Sequence, residues 1–320
     1  MIARGVLMVG VLLAARGEPL RSQSLPPYAP LNPAAQMRSG LTTLPWLSAG
    51  PRWRVSVTND YGNLIEYTEG TNRHFVLDAE VLAARLLVSR RLGARGFVLA
   101  EAGFNGSYDG FLDGFLDWYH RITGWKVRAR ELRPKNEYAY ELGMEEQEFS
   151  FPSSSGFLGD VRLGAGVKVG RDWQGALMLT LPTGTAPAGY RKGVVSTNAV
   201  IMFHRDFGKG DRFTYEGSLG WGYTPKHGDL RPWQRTSFVL VSQGIRAGIA
   251  GPLHGFVNLI YDSPYYRDIG VPDLDRTELT LDAGTMFRFK KGPTWLLSMT
   301  QDLSPRGPAI DVAIRLGAYW

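Results

Sequence analysis

The last eleven residues of the chain alternate between apolar and small or polar side chains. Apolar residues occupy every second position of Ile310–Trp320, and the positions between them are Asp311, Ala313, Arg315, Gly317 and Tyr319. A period of two is the pattern of a β-strand with one apolar face. Chain ends usually fray and carry polar residues, so alternation up to the last residue favours a closed barrel. In a barrel the last strand pairs with the first and has no free edge.

The same period recurs along the chain after residue 52. With the terminal segment, the predicted strands are 53–61, 75–87, 97–104, 161–169, 175–181, 194–207, 213–223, 237–249, 256–262, 279–289, 295–301 and 310–320. Short Gly-rich basic turns alternate with longer polar loops, as in outer-membrane barrels with periplasmic turns. The sequence therefore predicts an all-β protein, a transmembrane antiparallel barrel of about twelve strands in the bacterial outer membrane. The alternative, a soluble β-sandwich, would have loops of similar length at both ends.

The N-terminus has the layout of a secretory signal. A basic start at Arg4 precedes the apolar run 6–15 and small residues at Ala15 and Gly17, which predicts a signal peptide over 1–17. Residues 18–51 are predicted to form a Pro-rich periplasmic segment and residues 52–320 the barrel. The chain has no cysteine, which excludes thiolate chemistry and Cys-containing metal sites. Its charge of +6 is spread along the chain and gives no footprint for nucleic acid.

One segment departs from the strand pattern, within a long loop predicted to be extracellular over residues 105–159. A helix over "GFLDGFLDWYHRITG" is predicted to be amphipathic. Its apolar row carries Phe111, Phe115, Trp118 and Ile122, its polar row carries Asp113, Asp117 and Arg121, and His120 lies beside Asp117. So many large apolar side chains need cover. We expect this helix to fold over or into the outer opening and restrict it, with the lipid interface as the alternative.

This helix, the following "RARELRPKNEYAYE" and a Pro-rich exported N-terminus resemble a family of outer-membrane barrels known as domain of unknown function 3187. The terminus also resembles the C-terminal assembly signal of outer-membrane proteins, with Val312, Ile314, Leu316 and Trp320 at the matching positions. The resemblance implies a bacterial outer-membrane barrel, in contact with membrane lipids and lipopolysaccharide and inserted by the barrel assembly machinery. It supplies no activity and no catalytic residues.

Strand parity predicts a charged lumen of mixed sign. The lumen-facing candidates are Arg54, Asp78, Glu80, Glu101, Arg162, Glu216, Asp282, Arg288 and Arg315. Such a lumen favours a pore or transporter for small solutes with a partly occluded path, unless these charges pair across a narrow lumen and merely hold it together. The alternatives are a structural barrel, or one whose Arg128, Arg130 and Arg133 contact lipopolysaccharide phosphates. A lipid hydrolase is disfavoured because the five histidines lie in no recognised catalytic motif. No metal site and no cofactor are predicted.

Overall fold

The computed structural model describes residues 24–48, 50–70, 72–124, 128–144, 147–208, 212–289, 292–303 and 310–320. The predicted signal peptide therefore lies outside the described residues. The strands are β1 (Trp53–Glu69), β2 (Arg73–Leu92), β3 (Gly96–Tyr108), β4 (Ala139–Met144), β5 (Gln147–Ser150), β6 (Ser154–Leu158), β7 (Val161–Val169), β8 (Trp173–Leu181), β9 (Ser196–Phe207), β10 (Phe213–Tyr223), β11 (Ser237–Ala250), β12 (Leu253–Asp262), β13 (Glu278–Arg288), β14 (Thr294–Asp302) and β15 (Val312–Tyr319). The helices are α1 (Pro33–Gln36), α2 (Asp113–Thr123), α3 (Arg128–Leu132) and α4 (Pro272–Asp275).

Twelve of the described strands close into an antiparallel barrel, as the sequence predicts. Neighbours in the chain pair from β7 to β15, β15 pairs with β1, and β1–β2, β2–β3 and β3–β7 complete the circle. The closing register runs from Ser56 opposite Tyr319 to Asn63 opposite Val312. The other three described strands lie in the long loop, where β4 pairs with β2 and β5, and β6 pairs with β3. The β1–β2 hairpin also continues to Glu69 opposite His74, so much of the region predicted as a loop between these strands is strand.

The wall has an apolar outer face. In β10, Leu219, Trp221 and Tyr223 are exposed, whereas the positions between them are buried. The same alternation exposes Leu163 and Val167 in β7 and Leu177 in β8. A belt of this size is unfavourable in water and matches the lipid-facing band of membrane barrels. Among the described helices, none is long and apolar enough to span a bilayer.

The segment predicted to lie in the periplasm runs through the lumen instead. Residues 24–48, which we call the inner segment, are buried except for the half-buried Pro27, Gln36 and Met37. Apart from the single turn α1, capped by the Asn32 side chain, the described part of this segment has no helix or strand. Its backbone groups therefore need partners elsewhere, and polar side chains of the lumen wall supply them. This explains why a Pro-rich segment is stable inside a barrel.

The outer end of the lumen is closed by an apolar cluster. The inner segment contributes Tyr28 and Leu31, and β2 contributes Phe75 and Leu77. The outer loops add Tyr140, Leu142, Tyr190, Tyr265, Tyr266 and Ile269. All these side chains are buried. The opening is thus filled by the inner segment and loop aromatics, not by helix α2.

Candidate functional site

The middle of the lumen contains a buried network of charges from four wall strands. The Arg315 guanidinium donates to Asp60 at 2.5 Å and to Asp282 at 3.0 Å, and all three side chains are buried. A nitrogen of Arg85 lies 3.5 Å from the second carboxylate oxygen of Asp60. Buried charges are tolerated when they are paired and hydrogen-bonded. This network therefore ties β1, β2, β13 and β15 together across the closing seam.

A second ion pair holds the inner segment against the wall. Arg162 of β7 pairs with Glu101 of β3. One nitrogen of Arg162 donates to the carbonyl oxygen of Gly40 and to the hydroxyl of Thr42, both at 3.0 Å. The Asn198 amide donates to the same carbonyl at 2.8 Å. Side chains of the wall thus provide hydrogen-bond partners for the backbone of the inner segment, in the way that a binding site provides them for a ligand.

Towards the periplasmic end, Glu216 holds the start of the inner segment. Its carboxylate accepts from the Ser24 hydroxyl at 2.9 Å and from the Leu25 amide at 2.7 Å. The other carboxylate oxygen lies 2.6 Å from a ring nitrogen of His204. Trp46 stacks on the His204 ring with centroids 4.9 Å apart, and Arg54 donates to the Trp46 carbonyl. Wall charges at this end bind the segment and do not line an open pore.

Seven of the nine lumen candidates lie on the inward face of the wall: Arg54, Glu101, Arg162, Glu216, Asp282, Arg288 and Arg315. Asp78 and Glu80 do not, and their predicted position is wrong. Glu80 pairs with Asn63 across β1–β2, on the side of the wall that carries exposed Ile314 and Leu316. The physical reason is that the inward face of β2 here is apolar, with Phe75 and Leu77 packed in the core cluster.

Helix α2 covers these outward polar groups. Asp113 accepts from the Asn63 amide at 3.2 Å, and the backbone amide of Leu112 donates to Glu80. His120 lies 3.1 Å from Asp311. The expected fold over the outer opening is therefore wrong: α2 lies against the outside of the wall. Its polar residues face the protein, because the groups it covers on β1 and β2 are polar.

The apolar row of α2 points away from the protein. Phe111, Phe115, Trp118 and Ile122 are exposed, as is Arg121. Asp117 pairs with Lys135, not with Arg121. The helix ends at Gly124, whose φ of 72° is the left-handed conformation that glycine adopts readily at helix ends.

Two of the three arginines proposed to contact lipopolysaccharide, Arg130 and Arg133, are engaged within the protein, and the Arg128 side chain lies outside the described residues. Arg130 pairs with Asp113 at 2.9 Å and Asp311 at 2.7 Å, and its side chain is 7% exposed. Arg133 lies 3.2 Å from Asp78. Their partners are the helix and the wall, not the acidic run that follows them in sequence. Arg130 and Arg133 are thus committed to fastening the loop to the barrel.

A cavity of about 110 Å³ lies between the inner segment and the strands β2, β3, β7 and β8. Its lining includes the ion pair Arg162–Glu101 and Lys192 from the β8–β9 loop. Lys192 is 3% exposed, and its ammonium has no hydrogen-bond partner among the described residues. Burial lowers the pKa of Lys192 to about 7. Sequence reasoning missed this residue because it lies in a loop without periodicity, and only the buried inner segment gives it an enclosed environment.

The five histidines pair with carboxylates or arginines. Their polar partners in the described structure are Glu148 for His74, Asp311 for His120, Glu216 and Asp206 for His204, Arg38 for His227 and Arg246 for His254. Nucleophilic catalysis by serine requires a Ser–His pair within hydrogen-bond reach, and none of these partners is a hydroxyl.

One group that the sequence did not reveal has the spacing of metal ligands. His74, Glu141 and Glu148 have donor atoms within 4.8 Å of one another, because β4 and β5 fold back beside β2. His74 and Glu148 already form an ion pair at 3.1 Å near the surface. A cation would have to compete with that pair, so we base no function on this group.

The residues of the predicted assembly signal take two positions. Val312, Ile314 and Leu316 share the outward face of β15, and Val312 is buried whereas Ile314 and Leu316 are exposed. Trp320 exchanges backbone hydrogen bonds with Val55 at 2.9 and 3.2 Å. The last residue thus takes part in the closing seam.

A closed twelve-stranded wall with an apolar belt outside and an occupied polar lumen defines an outer-membrane β-barrel protein. The chain belongs to the family described as "Protein of unknown function (DUF3187)", which matches residues 11–319. This confirms the family resemblance seen in the sequence. No curated protein matches the chain.

Solved structures share the barrel fold. The chain is similar to the COG4313 outer membrane channel from Pseudomonas putida F1, with 14% identity, a TM-score of 0.55, and 85% of this chain and 96% of that chain covered. The CymD monoaromatic hydrocarbon channel gives 11% identity and a TM-score of 0.45 over 90% of both chains. The translocator domain of autotransporter NalP from Neisseria meningitidis gives 12% identity and a TM-score of 0.44 over 85% and 89%.

Proposed function

We propose that the protein is an outer-membrane transporter for small solutes, whose inner segment occupies the lumen at rest and must shift to open a path. The observation that supports this proposal is the identity of the residues that fill the lumen. The enclosed space is filled by one separate segment, residues 24–48, together with outer-loop aromatics. A barrel with only a structural role can fill its lumen with the side chains of its own wall, as eight-stranded barrels do.

The contacts of the inner segment support movement. At Gly40, Leu25 and Trp46 the wall holds it through hydrogen bonds from or to polar side chains, and each such bond contributes only about 0.5–1.5 kcal/mol net, or about 1.5–3 kcal/mol when one partner is charged. Water or a polar solute can replace these partners. The segment does not pair as a strand with any described part of the wall, so a shift leaves the backbone pairing of the barrel intact.

A structural barrel without transport is the alternative. It gains support from the apolar cluster at the outer end, which is packed like the core of a soluble domain. We propose no enzymatic role, since the partners of the histidines are carboxylates and arginines. The two remaining proposals differ in one measurable property, the conductance of the barrel once the inner segment is released.

A disulfide lock tests the transport proposal. The native chain has no cysteine, and a Cβ placed on Gly40 would lie 3.1 Å from the Ser196 hydroxyl oxygen. Thiols at these two positions would therefore be in bonding reach once the Asn198 and Thr180 side-chain ends, 2.8 and 2.9 Å from that Cβ, rotate away. In planar bilayers, the Gly40→Cys/Ser196→Cys variant should show few or no conducting events when oxidised. Reductant should restore the behaviour of the two single-cysteine variants, which serve as matched controls.

Removal of the segment gives the opposite test. Deletion of residues 24–48 should raise single-channel conductance well above that of the intact chain, because a wet polar lumen remains. Heat-modifiable migration on gels checks that the wall is assembled. An assembled deletion variant that conducts no better than the intact protein would contradict the proposal and favour the structural barrel.

A further inference from the structure

The cavity beside the inner segment has the lining of a binding site for a small amphipathic anion. Its polar and charged lining residues include Lys192, Thr180, and the pair Arg162–Glu101. Its apolar lining residues include Leu41, Phe157, Ala186 and Tyr190. The exposed residue Arg191 also lines it, so the cavity reaches the surface beside the outer loops.

Lys192 is the buried cation in this lining that lacks a counterion, whereas Arg191 is exposed to solvent. Arg162 pairs with Glu101, and Arg85 lies 3.5 Å from Asp60. No carboxylate lies within ion-pair distance of the Lys192 ammonium among the described residues, and the ammonium donates no hydrogen bond to any of them. Burying an unpaired ammonium is costly unless it loses its proton or gains an anion. The cavity therefore presents a buried positive group that a ligand can satisfy.

A second unpaired polar atom faces the same space. The Thr180 hydroxyl is buried, lines the cavity and has no partner in the described structure. The Ser196 hydroxyl is buried and unpaired as well. Both lie against Gly40, where a Cβ would come within 2.9 Å of the Thr180 oxygen and 3.1 Å of the Ser196 oxygen. Glycine at this position lets the inner segment approach closely while these hydroxyls stay available.

The size and lining define the ligand further. At roughly 10–15 Å³ per water, a cavity of about 110 Å³ accommodates roughly the volume of seven to eleven waters. A phosphate group is typically held by several arginines or backbone amides, whereas this cavity offers one free cation and one free hydroxyl. One cation and one hydroxyl donor are enough to bind a carboxylate, and the apolar lining residues can contact a short hydrocarbon group.

We infer that this cavity binds a small organic monocarboxylate, with Lys192 as the counterion and Thr180 as a hydroxyl donor. The binding of a monocarboxylate does not depend on whether the protein transports anything. The further step, that monocarboxylates are the transported solutes, rests on the proposed function. Binding by the purified protein in detergent and conductance in bilayers are separate measurements. A failure of one is therefore distinguishable from a failure of the other.

Isothermal titration with benzoate as the probe tests the site. The intact protein should bind benzoate, and Lys192→Met should weaken binding by about ten-fold or more, since it removes a charge-assisted contact. Thr180→Val should weaken it less. Benzamide, a neutral compound of the same shape, should bind weakly to both proteins. The thermal midpoint of Lys192→Met without ligand should equal or exceed that of the intact protein, because an unpaired buried charge is gone.

The pH dependence supplies a readout that a purely structural lysine would not give. The charged and titratable groups facing Lys192 are Arg38 of the inner segment, Asp160 and Arg162 of the wall, Arg191 of its own loop and His227 of the next loop. Benzoate affinity should fall between pH 6 and pH 9 in the intact protein, as the ammonium loses its proton, and stay flat in Lys192→Met. Equal benzoate affinity of the two proteins, absence of binding, or tighter binding of inorganic phosphate than of benzoate would overturn the inference.

Discussion

Arg315 is the residue on which the charge balance of the lumen depends. It binds Asp60 and Asp282 at 2.5 and 3.0 Å in a site where all three groups are buried. Removing one partner of a buried ion pair leaves an uncompensated charge and typically costs about 3–5 kcal/mol. Arg315→Met would leave two carboxylates facing each other near Arg85. We therefore expect this variant to lower the thermal midpoint of the heat-modifiable barrel by about 5–15 degrees.

The matched control is Lys168→Met. Lys168 faces the same lumen from β7 and has no carboxylate within ion-pair distance among the described residues. Its loss should change the midpoint little. The triple variant Asp60→Asn/Arg315→Met/Asp282→Asn should recover most of the lost stability, because replacing a whole buried network is often nearly neutral. Equal midpoints for Arg315→Met and the intact protein would show that the network contributes little.

The sequence predicts correctly which side of the wall most of the charged residues face. The prediction fails where it depends only on whether a residue is at an odd or even position in its strand. Alternation assigns the inward face correctly for residues such as Glu216 and Asp282, which lie in strands with one polar face. It fails at Asp78 and Glu80, because the upper part of β2 is covered on both faces: by the apolar cluster inside and by α2 and α3 outside. In this part of β2, a charged side chain therefore does not indicate the lumen-facing side of the strand. Lys192 carries no sequence signal, since its burial depends on a segment 150 residues away.

Helix α2 buries polar side chains against the protein and exposes apolar ones, which is the reverse of a surface helix in a soluble protein. Asp113 and His120 are buried against the wall, whereas Phe115 is 47% exposed and Ile122 61% exposed. Such a helix is stable where its outward face meets acyl chains or the headgroup region, as in interfacial helices. We therefore expect α2 to lie in the outer leaflet, with its apolar row in contact with lipid.

Spin labelling tests this position without interference, because the native chain has no cysteine. A label at Ile122→Cys in liposomes should be more accessible to oxygen than to a water-soluble nickel complex. A label at Asp229→Cys, in an exposed outer loop, should show the reverse preference. Preferential collision of the Ile122 label with the nickel complex would place α2 in water and contradict the interfacial position.

The placement of α2 also changes the expected effect of deleting it. Replacing residues 110–124 by a short Gly/Ser bridge should leave conductance unchanged, because the outer opening is closed by the inner segment and by Tyr265 and Tyr266. The sequence reveals the helix and the width of its apolar face, but not its side of the wall. That depends on outward polar partners such as Asn63 and Glu80, which sequence parity cannot distinguish from lumen residues.

The inner segment shows why a local pattern cannot locate an irregular element. Its prolines and its lack of periodicity correctly predict that it does not form a strand of the wall. Its position follows from complementary contacts scattered along the chain. Gln174 of the wall accepts from the amide of Leu47 at 2.9 Å, and Arg38 of the inner segment donates to the carbonyls of Thr224 and Arg235 at 3.0 and 2.9 Å. These contacts join positions more than 120 residues apart, and no local pattern carries them.

Closure of the whole molecule depends on its last residues. Trp320 and Val55 exchange two backbone hydrogen bonds at the end of the β1–β15 seam, and Tyr319 packs against the apolar cluster that includes Leu25 of the inner segment. The same terminus resembles an assembly signal. We therefore expect two roles for Trp320: a pairing role that uses its backbone and a recognition role that uses its side chain.

Trp320→Ala separates these roles, because alanine keeps the backbone bonds to Val55. If the side chain serves recognition by the barrel assembly machinery, the variant should refold in detergent with a thermal midpoint within a few degrees of the intact protein. In cells, it should accumulate poorly in the outer membrane and be degraded in the periplasm, and Trp320→Phe should restore insertion. Deletion of Tyr319 and Trp320 should fail in both settings, since it also removes the seam bonds. Normal insertion of Trp320→Ala in cells would show that closure needs only the backbone of the last residue.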